Sequence, residues 1–326
     1  MIEKAKSAAI KIDSERDHSA GERCGVGCDF PDRDPGGIGS VQRQQVLWRH
    51  AKEEKAKIGT GILPLMMSTS IGIDTDFQSS KRAERVGLAQ QVIREAIADV
   101  RYLFDRARRC RDIQYDAAGR VVGKLISRSP ADIVALIGTE KPECGQEGTL
   151  FHSLVVSASM IAFGRSLGLS EDAVGLLGCG GLLHDIGKMA LPTKLLERSG
   201  PLEIAELMLI RKHPALGHEM LRRTEGMPKA VLDVCLYHHE RFDGFGYPYG
   251  LVGAEIPKAA RIAAICDVYD ALTSARPYKT GWSPREAIDA MLRSAGQFDP
   301  ALLDVFVSWV AGRPHSGDRR ISDCSL

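Results

Sequence analysis

Two adjacent pairs of potential metal ligands stand out in this sequence. His184 is followed directly by Asp185, and His238 is followed directly by His239, with each pair at the end of an apolar run. Imidazole and carboxylate groups at helix ends can converge inside a helical bundle. Burying several of them together without a metal would cost free energy in lost hydration and pairing. The pairs therefore favour a divalent metal site with mixed nitrogen and oxygen ligands, as transition metals prefer.

Three further residues are candidates for the same site. His213 stands just before Pro214, His152 lies near a helix start, and Asp267 is on the apolar side of its segment. Taken singly, each has a simpler interpretation, because a lone buried histidine or aspartate is usually a core residue with a hydrogen-bond partner. Spacing alone leaves both interpretations open.

The pairs are embedded in longer motifs that carry a family resemblance. The first motif is His184-Asp185-Ile186-Gly187-Lys188, and the second runs from His238 to Pro248 as HHERFDGFGYP. The third runs from Ala260 to Thr273 and is followed by Arg276-Pro277-Tyr278-Lys279. Over about residues 130–312 the sequence resembles the HD-GYP family of cyclic di-GMP phosphodiesterases, within the HD superfamily of metal-dependent phosphohydrolases.

The resemblance implies how the ligands are shared between two divalent metal ions, with iron or manganese expected. One metal would be held by His152, His184, Asp185 and Asp267. Asp185 would bridge to a second metal held by His213, His238 and His239. A bridging hydroxide between metals about 3.5–4 Å apart would then attack phosphorus in line.

Lys188 is the second residue, after Asp185, for which the resemblance implies a catalytic role. It would stabilise negative charge on the phosphoryl oxygens. Its position, one helical turn after His184, is expected to direct its side chain to the same face. The simpler alternative is a surface lysine that interacts favourably with a helix C-terminus.

The resemblance also assigns substrate contacts to the GYP loop (Asp243–Pro248) and to two cations that follow it. Gly244 and Gly246 would let the backbone approach the substrate, and Tyr247 would offer a hydroxyl to a phosphate oxygen. Arg276 and Lys279 match positions that contact phosphates, as an anionic dinucleotide requires. Alternatively, the loop is an ordinary glycine-rich turn or a docking surface for other signalling proteins.

One departure from the family pattern concerns a third metal. Some family members carry a glutamate four residues before the first histidine ligand, where this sequence has Gly148. The nearest acid is Glu147, and a shift of one residue turns a side chain by about 100° around a helix. We therefore predict a site for two metals rather than three.

The elements that must position these residues are predicted to be helices. After residue 129, apolar residues recur at helical spacing, and no alternating strand pattern of similar strength is present. Capping signals predict helix starts near Ser129, Ser170 and Ser283. Further helices are predicted over Pro201–Ile210, Pro214–Arg223, Pro228–His239, Pro257–Thr273 and Pro300–Val310. The expected fold is all-α, an HD-type helical bundle with a smaller, mainly helical N-terminal region.

Composition suggests four segments along the chain. Residues 1–40 are rich in Asp, Arg, Gly and Pro and are predicted to be a flexible tail. Residues 41–125 form a predicted regulatory region, with helical patterns at 41–61 and 79–112. Residues 126–312 form the expected catalytic domain, and 313–326 a C-terminal tail. Five arginines at the end of the 79–112 pattern favour a solvated helix face over a phosphate-binding patch.

The overall charge and apolar content exclude several classes of protein. The 326 residues include 43 basic and 42 acidic side chains and only 6% aromatic residues, which argues against binding a nucleic-acid polymer. No apolar run reaches the roughly 18–20 residues of a membrane helix, and the first residues lack the apolar core of a signal peptide. We therefore expect a cytoplasmic protein with no membrane partner.

The resemblance implies a bacterial second-messenger enzyme that hydrolyses cyclic di-GMP to pGpG, and it leaves open whether pGpG is cleaved onward to GMP. All metal-ligand positions of the family are filled here, which favours an active enzyme. One alternative is a catalytically weak cyclic di-GMP receptor or docking module, which loss of a ligand would have favoured. Another is an HD hydrolase of a different nucleotide, against which the intact GYP loop argues.

Overall fold

The computed structural model describes residues 91, 96–127, 146–198, 200, 202–274, 281–294 and 296–312. These described residues form helices joined by turns, and their only β-type pairing is an isolated bridge between Asp243 and Val252, so the predicted all-α class is confirmed. They all lie in one compact unit of the chain. The predicted tails, the helix at 41–61 and the helix start at Ser129 lie outside the described residues.

Two helices make up the described N-terminal part. Residues 96–108 are helical (α1), and the 79–112 pattern therefore ends earlier than predicted, with a turn at 109–110. Tyr115–Ile126 form α2, which the sequence pattern does not separate from its surroundings. Two of the arginines at the end of α1 have partners among the described residues, since Arg106 donates to the carbonyl of Asp112 and Arg108 donates to Thr193 Oγ1. The last contact joins α1 to the segment that follows the His184-Asp185 pair.

A long helix and its antiparallel neighbour form the centre of the bundle. They are α3 (Gln146–Ser166) and α4 (Glu171–Leu183), and Ser170 caps the second by accepting a hydrogen bond from the Ala173 amide, as predicted. Small residues let the two helices approach closely. A methyl group on Gly181 would lie 2.8 Å from Met160 Sδ and 2.9 Å from Ser157 Cα. This close packing places the C-terminus of α4 beside the first half of α3.

The other described α-helices follow the predicted order. They are α5 (Thr193–Leu196), α6 (Ile204–Ile210), α7 (His213–Leu221), α8 (Lys229–Tyr237), α9 (Lys258–Thr273), α10 (Pro284–Arg293) and α11 (Pro300–Val310). Short 3-10 helices occupy Ile186–Ala190 and Gly253–Glu255. The capping box of α10, between Ser283 and Glu286, is confirmed.

Three further predicted helix limits are wrong. The segment expected to run to Arg223 ends at Leu221. The segment expected to begin at Pro201 begins at Ile204, because Glu203 and Glu206 form a capping box there. The segment expected to run to His239 ends at Tyr237, with His238 as the C-terminal cap.

Two apolar clusters stabilise the bundle on either side of α3. One joins α1 and α2 to α3, α4 and α8, and the other joins α3 to α9, α10 and α11. In the second cluster the rings of Phe163 and Phe306 meet edge to face, with centroids 5.0 Å apart. Among the described residues, no helix combines the length and the apolar character needed to cross a membrane.

Candidate metal centre

The Asp185 carboxylate lies at the centre of the predicted ligand cluster, and its two oxygens face different histidines. Oδ1 is 3.1 Å from His213 Nε2 and 3.8 Å from His238 Nε2. Oδ2 is 3.4 Å from His184 Nε2 and 3.7 Å from His152 Nε2. A single carboxylate that faces two imidazole sets has the geometry of a bridging ligand.

The structure brings all seven predicted ligands together in two overlapping groups. The ligand atoms of each group lie within 4.8 Å of one another, and the groups are Asp185, His213, His238 and His239, and His152, His184 and Asp185. Asp267 joins the second group, because its Oδ1 lies 3.0 Å from His152 Nε2 and 3.9 Å from His184 Nε2. This is the division that the family resemblance implies.

Backbone carbonyls orient three of the imidazoles. The Nδ1 atom of His184 is 2.8 Å from the carbonyl of Gly181, and that of His213 is 2.7 Å from the carbonyl of Ile210. His238 Nδ1 contacts two carbonyls in the last turn of α8. The last carbonyls of a helix have no partner within the helix, so a histidine just past its end can donate to them. Each ring then points Nε2 at the centre.

His152 is oriented by a carboxylate instead. Its Nδ1 lies 2.6 Å from Oδ2 of Asp270, which is buried and also accepts a hydrogen bond from the Ser274 hydroxyl. Sequence reasoning assigns no role to Asp270. The available signal was its spacing, since a residue three positions after Asp267 lies on the same face of α9.

The pKa values of the histidines differ between the two ligand groups. Burial and the neighbouring imidazoles hold the pKa of His238 well below its usual value, and burial lowers the pKa of His239 to about 3. Both rings are therefore neutral near pH 7, with lone pairs free for a metal. Burial alone would lower the pKa of His152, but hydrogen bonds to Asp267 and Asp270 raise it to about 9. The His152 imidazole therefore carries an additional proton near pH 7, and a metal ion bound to this ring would displace it.

Asp185 is ionised despite its burial. Burial opposes ionisation, but the charges of Lys188 and His184 outweigh it and hold the pKa of the carboxyl well below its usual range. Lys188 Nζ lies 2.5 Å from Asp185 Oδ2. Lys188 lies outside α4, because α4 ends at Leu183 and Lys188 belongs to the following 3-10 helix. The tighter turn nevertheless directs its side chain to the centre.

The cluster leaves polar atoms that only a further group could satisfy. His184 Nε2 and Asp185 Oδ1 are buried without a hydrogen-bond partner among the described residues. The Nε2 atoms of His213 and His238 face each other at 3.3 Å. Buried polar atoms are normally paired, so these atoms indicate that a further group binds here. The residues therefore fit metal ions, and their mixed nitrogen and oxygen donors suit divalent transition metals.

Gly187 controls the approach of α7 to the centre. A methyl group there would lie 2.0 Å from the carbonyl oxygen of His213 and 2.5 Å from the Gly217 amide nitrogen. Only glycine allows this contact, which places His213 beside Asp185. Sequence reasoning treats Gly187 as part of a motif without giving it this role.

The GYP loop folds back on its own backbone. A methyl group on Gly246 would lie 2.2 Å from the Arg241 amide nitrogen, and Gly244 has a φ of 79°. Both glycines are therefore required by the backbone conformation of the loop itself, in addition to the predicted approach of the backbone to substrate. Tyr247 lies flat against His239, with centroids 4.7 Å apart.

Glu240 anchors the far side of this loop. Its buried carboxylate accepts hydrogen bonds from the amides of Tyr249, Gly250 and Leu251 at 2.7–3.2 Å. No role is predicted for it from the sequence, although it follows His239 directly. The predicted phosphate contacts Arg276 and Lys279 lie outside the described residues.

Glu147, the acidic residue nearest in sequence to the expected third-metal position, forms an ion pair with another residue. Both carboxylate oxygens of Glu147 accept from the Arg101 guanidinium at 2.7–3.0 Å, and the pair is half exposed. Gly148, at the matching position, has no side chain to offer. Two metals remain the prediction.

Comparison with known proteins finds one matching family model and several similar sequences. The HD domain family model matches residues 129–302. A cyclic di-GMP phosphodiesterase of Pseudomonas aeruginosa is 38% identical over 268 residues, which is 80% of this chain and 62% of that protein. The response regulator RpfG of Xanthomonas campestris, also named a cyclic di-GMP phosphodiesterase, is 43% identical over 44% of this chain and 38% of its own length.

Two further similarities concern substrate and fold. A protein of Vibrio cholerae named 3'3'-cGAMP-specific phosphodiesterase 1 is 35% identical over 53% of this chain and 41% of its own length. The chain thus spans less than two thirds of each of these relatives. Among solved structures, an HDG"Y"P protein of Bdellovibrio bacteriovorus has a TM-score of 0.55 at 22% identity, over 74% of this chain and 82% of that chain, which supports the shared fold.

Proposed function

The chain belongs to the HD domain family, and on that basis we propose that it is a metal-dependent phosphodiesterase that hydrolyses cyclic di-GMP to pGpG and onward to GMP. The observation that carries the proposal is the placement of Asp185, whose two oxygens face separate imidazole sets. Relatives named as cyclic di-GMP phosphodiesterases support the choice of substrate.

The chain's own residues prepare a site for a phosphodiester. His184, His213 and His238 are held by backbone carbonyls with Nε2 inward, so the centre is organised before substrate arrives. Two divalent ions, iron or manganese, would lower the pKa of a water molecule and offset negative charge on the phosphate. The mixed donor set suits divalent transition metals in general, iron and manganese among them.

Lys188 provides a positive charge at the edge of the centre. Its ammonium pairs with Asp185 Oδ2, and its side chain is 25% exposed, so a phosphoryl oxygen can reach it. A cation placed where charge develops in the transition state stabilises that state more than the ground state. We therefore assign Lys188 to charge stabilisation and Asp185 to holding both metals.

The loop residues are assigned to substrate binding on the support of the resemblance. Tyr247 stands beside His239, and Gly244 and Gly246 shape the backbone next to it. Arg276 and Lys279 would bind the phosphates, as paired cationic donors do for dinucleotides. The GYP loop also remains a candidate docking surface for other signalling proteins, with Phe245 exposed on it and Tyr249 exposed directly after it.

The decisive experiment is turnover of cyclic di-GMP by the purified chain loaded anaerobically with Fe(II) or Mn(II). We expect pGpG as the first product, with His184→Ala and Asp185→Ala inactive. His218→Ala is the matched control, because His218 lies on α7 with His213 but outside the ligand cluster. If the protein binds the dinucleotide tightly but forms no product with any of the metals, the proposed enzymatic activity is refuted and a role as a receptor is favoured.

A second substrate calls for a parallel assay because of the Vibrio cholerae relative. That protein is named for 3'3'-cGAMP, which differs from cyclic di-GMP in one base. The described ligands address the phosphodiester rather than the bases, so they do not separate the two dinucleotides. A kcat/KM for 3'3'-cGAMP at least tenfold above that for cyclic di-GMP would reassign the substrate.

A further inference from the structure

His239 differs from the other candidate ligand histidines in how its ring is held. His152, His184, His213 and His238 each use Nδ1 in a hydrogen bond to a carboxylate or a carbonyl. Within the described part of the chain, no such hydrogen bond holds the His239 ring, whose contacts are with other rings. Ligand histidines usually need a second contact to fix the ring, so His239 must be oriented by another means.

Two residues form a stack on the outer face of His239. The Tyr247 ring is nearly parallel to it, at 24° with centroids 4.7 Å apart. The Arg211 guanidinium lies over Tyr247, with Cζ 4.4 Å from the ring centroid. The backbone tightens this arrangement, because the Tyr247 amide donates to the His239 carbonyl at 3.2 Å. A cation, a phenol and an imidazole thus form three successive layers.

The chain path connects this stack to the second candidate metal group. Arg211 caps the C-terminus of α6 and stands two residues before His213, so one short turn places both. His213 and His239 both belong to the ligand group around Asp185. A cation over an aromatic face is attracted by the ring quadrupole, and the attraction strengthens when water is excluded.

We propose that Arg211 is a positioning residue that, through Tyr247, holds the His239 imidazole in place as a ligand of the second metal. The proposal rests on the proposed metal centre and deepens it. It gives Tyr247 a second role besides offering its hydroxyl to a phosphate. The Tyr247 ring, which contacts both Arg211 and His239, would hold the His239 imidazole in place. Neither Arg211 nor this use of the Tyr247 ring is predicted from the sequence.

The test measures metal binding without nucleotide. Metal-free protein is titrated with Mn(II), and bound metal is counted by equilibrium dialysis and the electron paramagnetic resonance signal of free Mn(II). We expect wild type to bind two ions, and Arg211→Met to bind one of them at least about tenfold less tightly, as loss of a supporting contact does. The affinity for the other ion should be unaffected.

A neighbouring cation provides the matched control. Lys212 is exposed, so Lys212→Met removes the same charge without touching the stack and should bind both ions as wild type does. An equal loss in Lys212→Met would overturn the proposal, because it would indicate a general electrostatic effect. Arg211→Lys keeps the charge but loses the flat guanidinium, and we expect only partial recovery.

Variants of Tyr247 keep the proposal testable if Arg211→Met folds poorly. Tyr247→Phe retains the ring and should keep both ions, whereas Tyr247→Leu should weaken the second ion as Arg211→Met does. The double variant should be no worse than Tyr247→Leu alone, because both changes break one chain of contacts. Additive losses in the double variant would contradict the stack.

The outcome is independent of the proposed activity. If wild type binds two Mn(II) ions but hydrolyses no cyclic dinucleotide, the proposed function fails while the role of Arg211 is still decided by the titration. If Arg211→Met binds both ions normally and only raises KM, Arg211 contacts substrate directly and the positioning role is refuted. A single ion in wild type would also refute it.

Discussion

The Nδ1 atom of His152 lies 2.6 Å from Oδ2 of Asp270, and this contact decides which nitrogen of the ring faces the metal centre. Asp270 is 1% exposed, so the interaction is shielded from water and strong. Among the hydrogen bonds that orient ligand histidines in the described cluster, it is the one made by a carboxylate rather than a carbonyl. A carboxylate partner also makes the imidazole a better electron donor.

The first prediction concerns this carboxylate. Asp270→Asn keeps an oxygen near His152 but removes the charge, and we expect metal affinity to fall by about tenfold or more. Equilibrium dialysis of metal-free protein with Mn(II) measures the effect. Asp304→Asn, an exposed change on α11, is the control and should bind metal as wild type does. Unchanged affinity in Asp270→Asn would show that the contact does not tune the site.

The second prediction concerns Gly187. Gly187→Ala would bring a methyl group to 2.0 Å from the His213 carbonyl oxygen, so α7 must shift away. We expect the free energy of unfolding of the metal-free protein to fall by about 1–3 kcal/mol, as overpacking usually causes. Denaturant titration followed by circular dichroism gives this value.

Gly119 offers a matched comparison for this substitution. It lies in α2, and a methyl group at this position would have nothing within 4 Å, so Gly119→Ala should stabilise the protein by about 0.5–1 kcal/mol. Equal behaviour of the two variants would contradict a steric role for Gly187.

The third prediction concerns the anchor of the GYP loop. Glu240→Gln leaves a single oxygen acceptor for three amide donors, and we expect a loss of about 1–3 kcal/mol in the free energy of unfolding. Hydrogen exchange should also accelerate at the amides of Tyr249, Gly250 and Leu251. Glu255→Gln is the control, since Glu255 is exposed and accepts the Val252 amide in its capping box. Unaltered exchange in Glu240→Gln would remove the anchoring role.

The fourth prediction separates a two-metal from a three-metal site. Because the Glu147 carboxylate is bound by Arg101 at the surface, Glu147→Gln should leave the number of bound metals at two. The exposed ion pair contributes about 0–1 kcal/mol, so stability should change little. Metal analysis by mass spectrometry decides the matter, and loss of one ion in this variant would reveal a third site.

Local sequence signals were sufficient for most helices. Ser170 and Ser283 cap the helices predicted from them, and the proline-marked segments are helical. Such signals are short in range, because a cap or a proline acts on the residues beside it. The errors also have local causes, since the Glu203–Glu206 capping box delays α6 beyond Pro201. The ends of helices depend on which group satisfies the last carbonyls, as His238 does for α8.

The sequence by itself was enough to predict the ligand set, because the motifs around His184-Asp185 and His238-His239 carry the family resemblance that implies it. It could not determine the supporting contacts. Asp270 meets His152 across 118 residues, and Arg211 meets His239 only through Tyr247. Such contacts depend on how helices pack, and side chains distant along the chain become neighbours only then. Tertiary structure alone therefore decided which contacts orient the imidazoles and that glycine is required at 187.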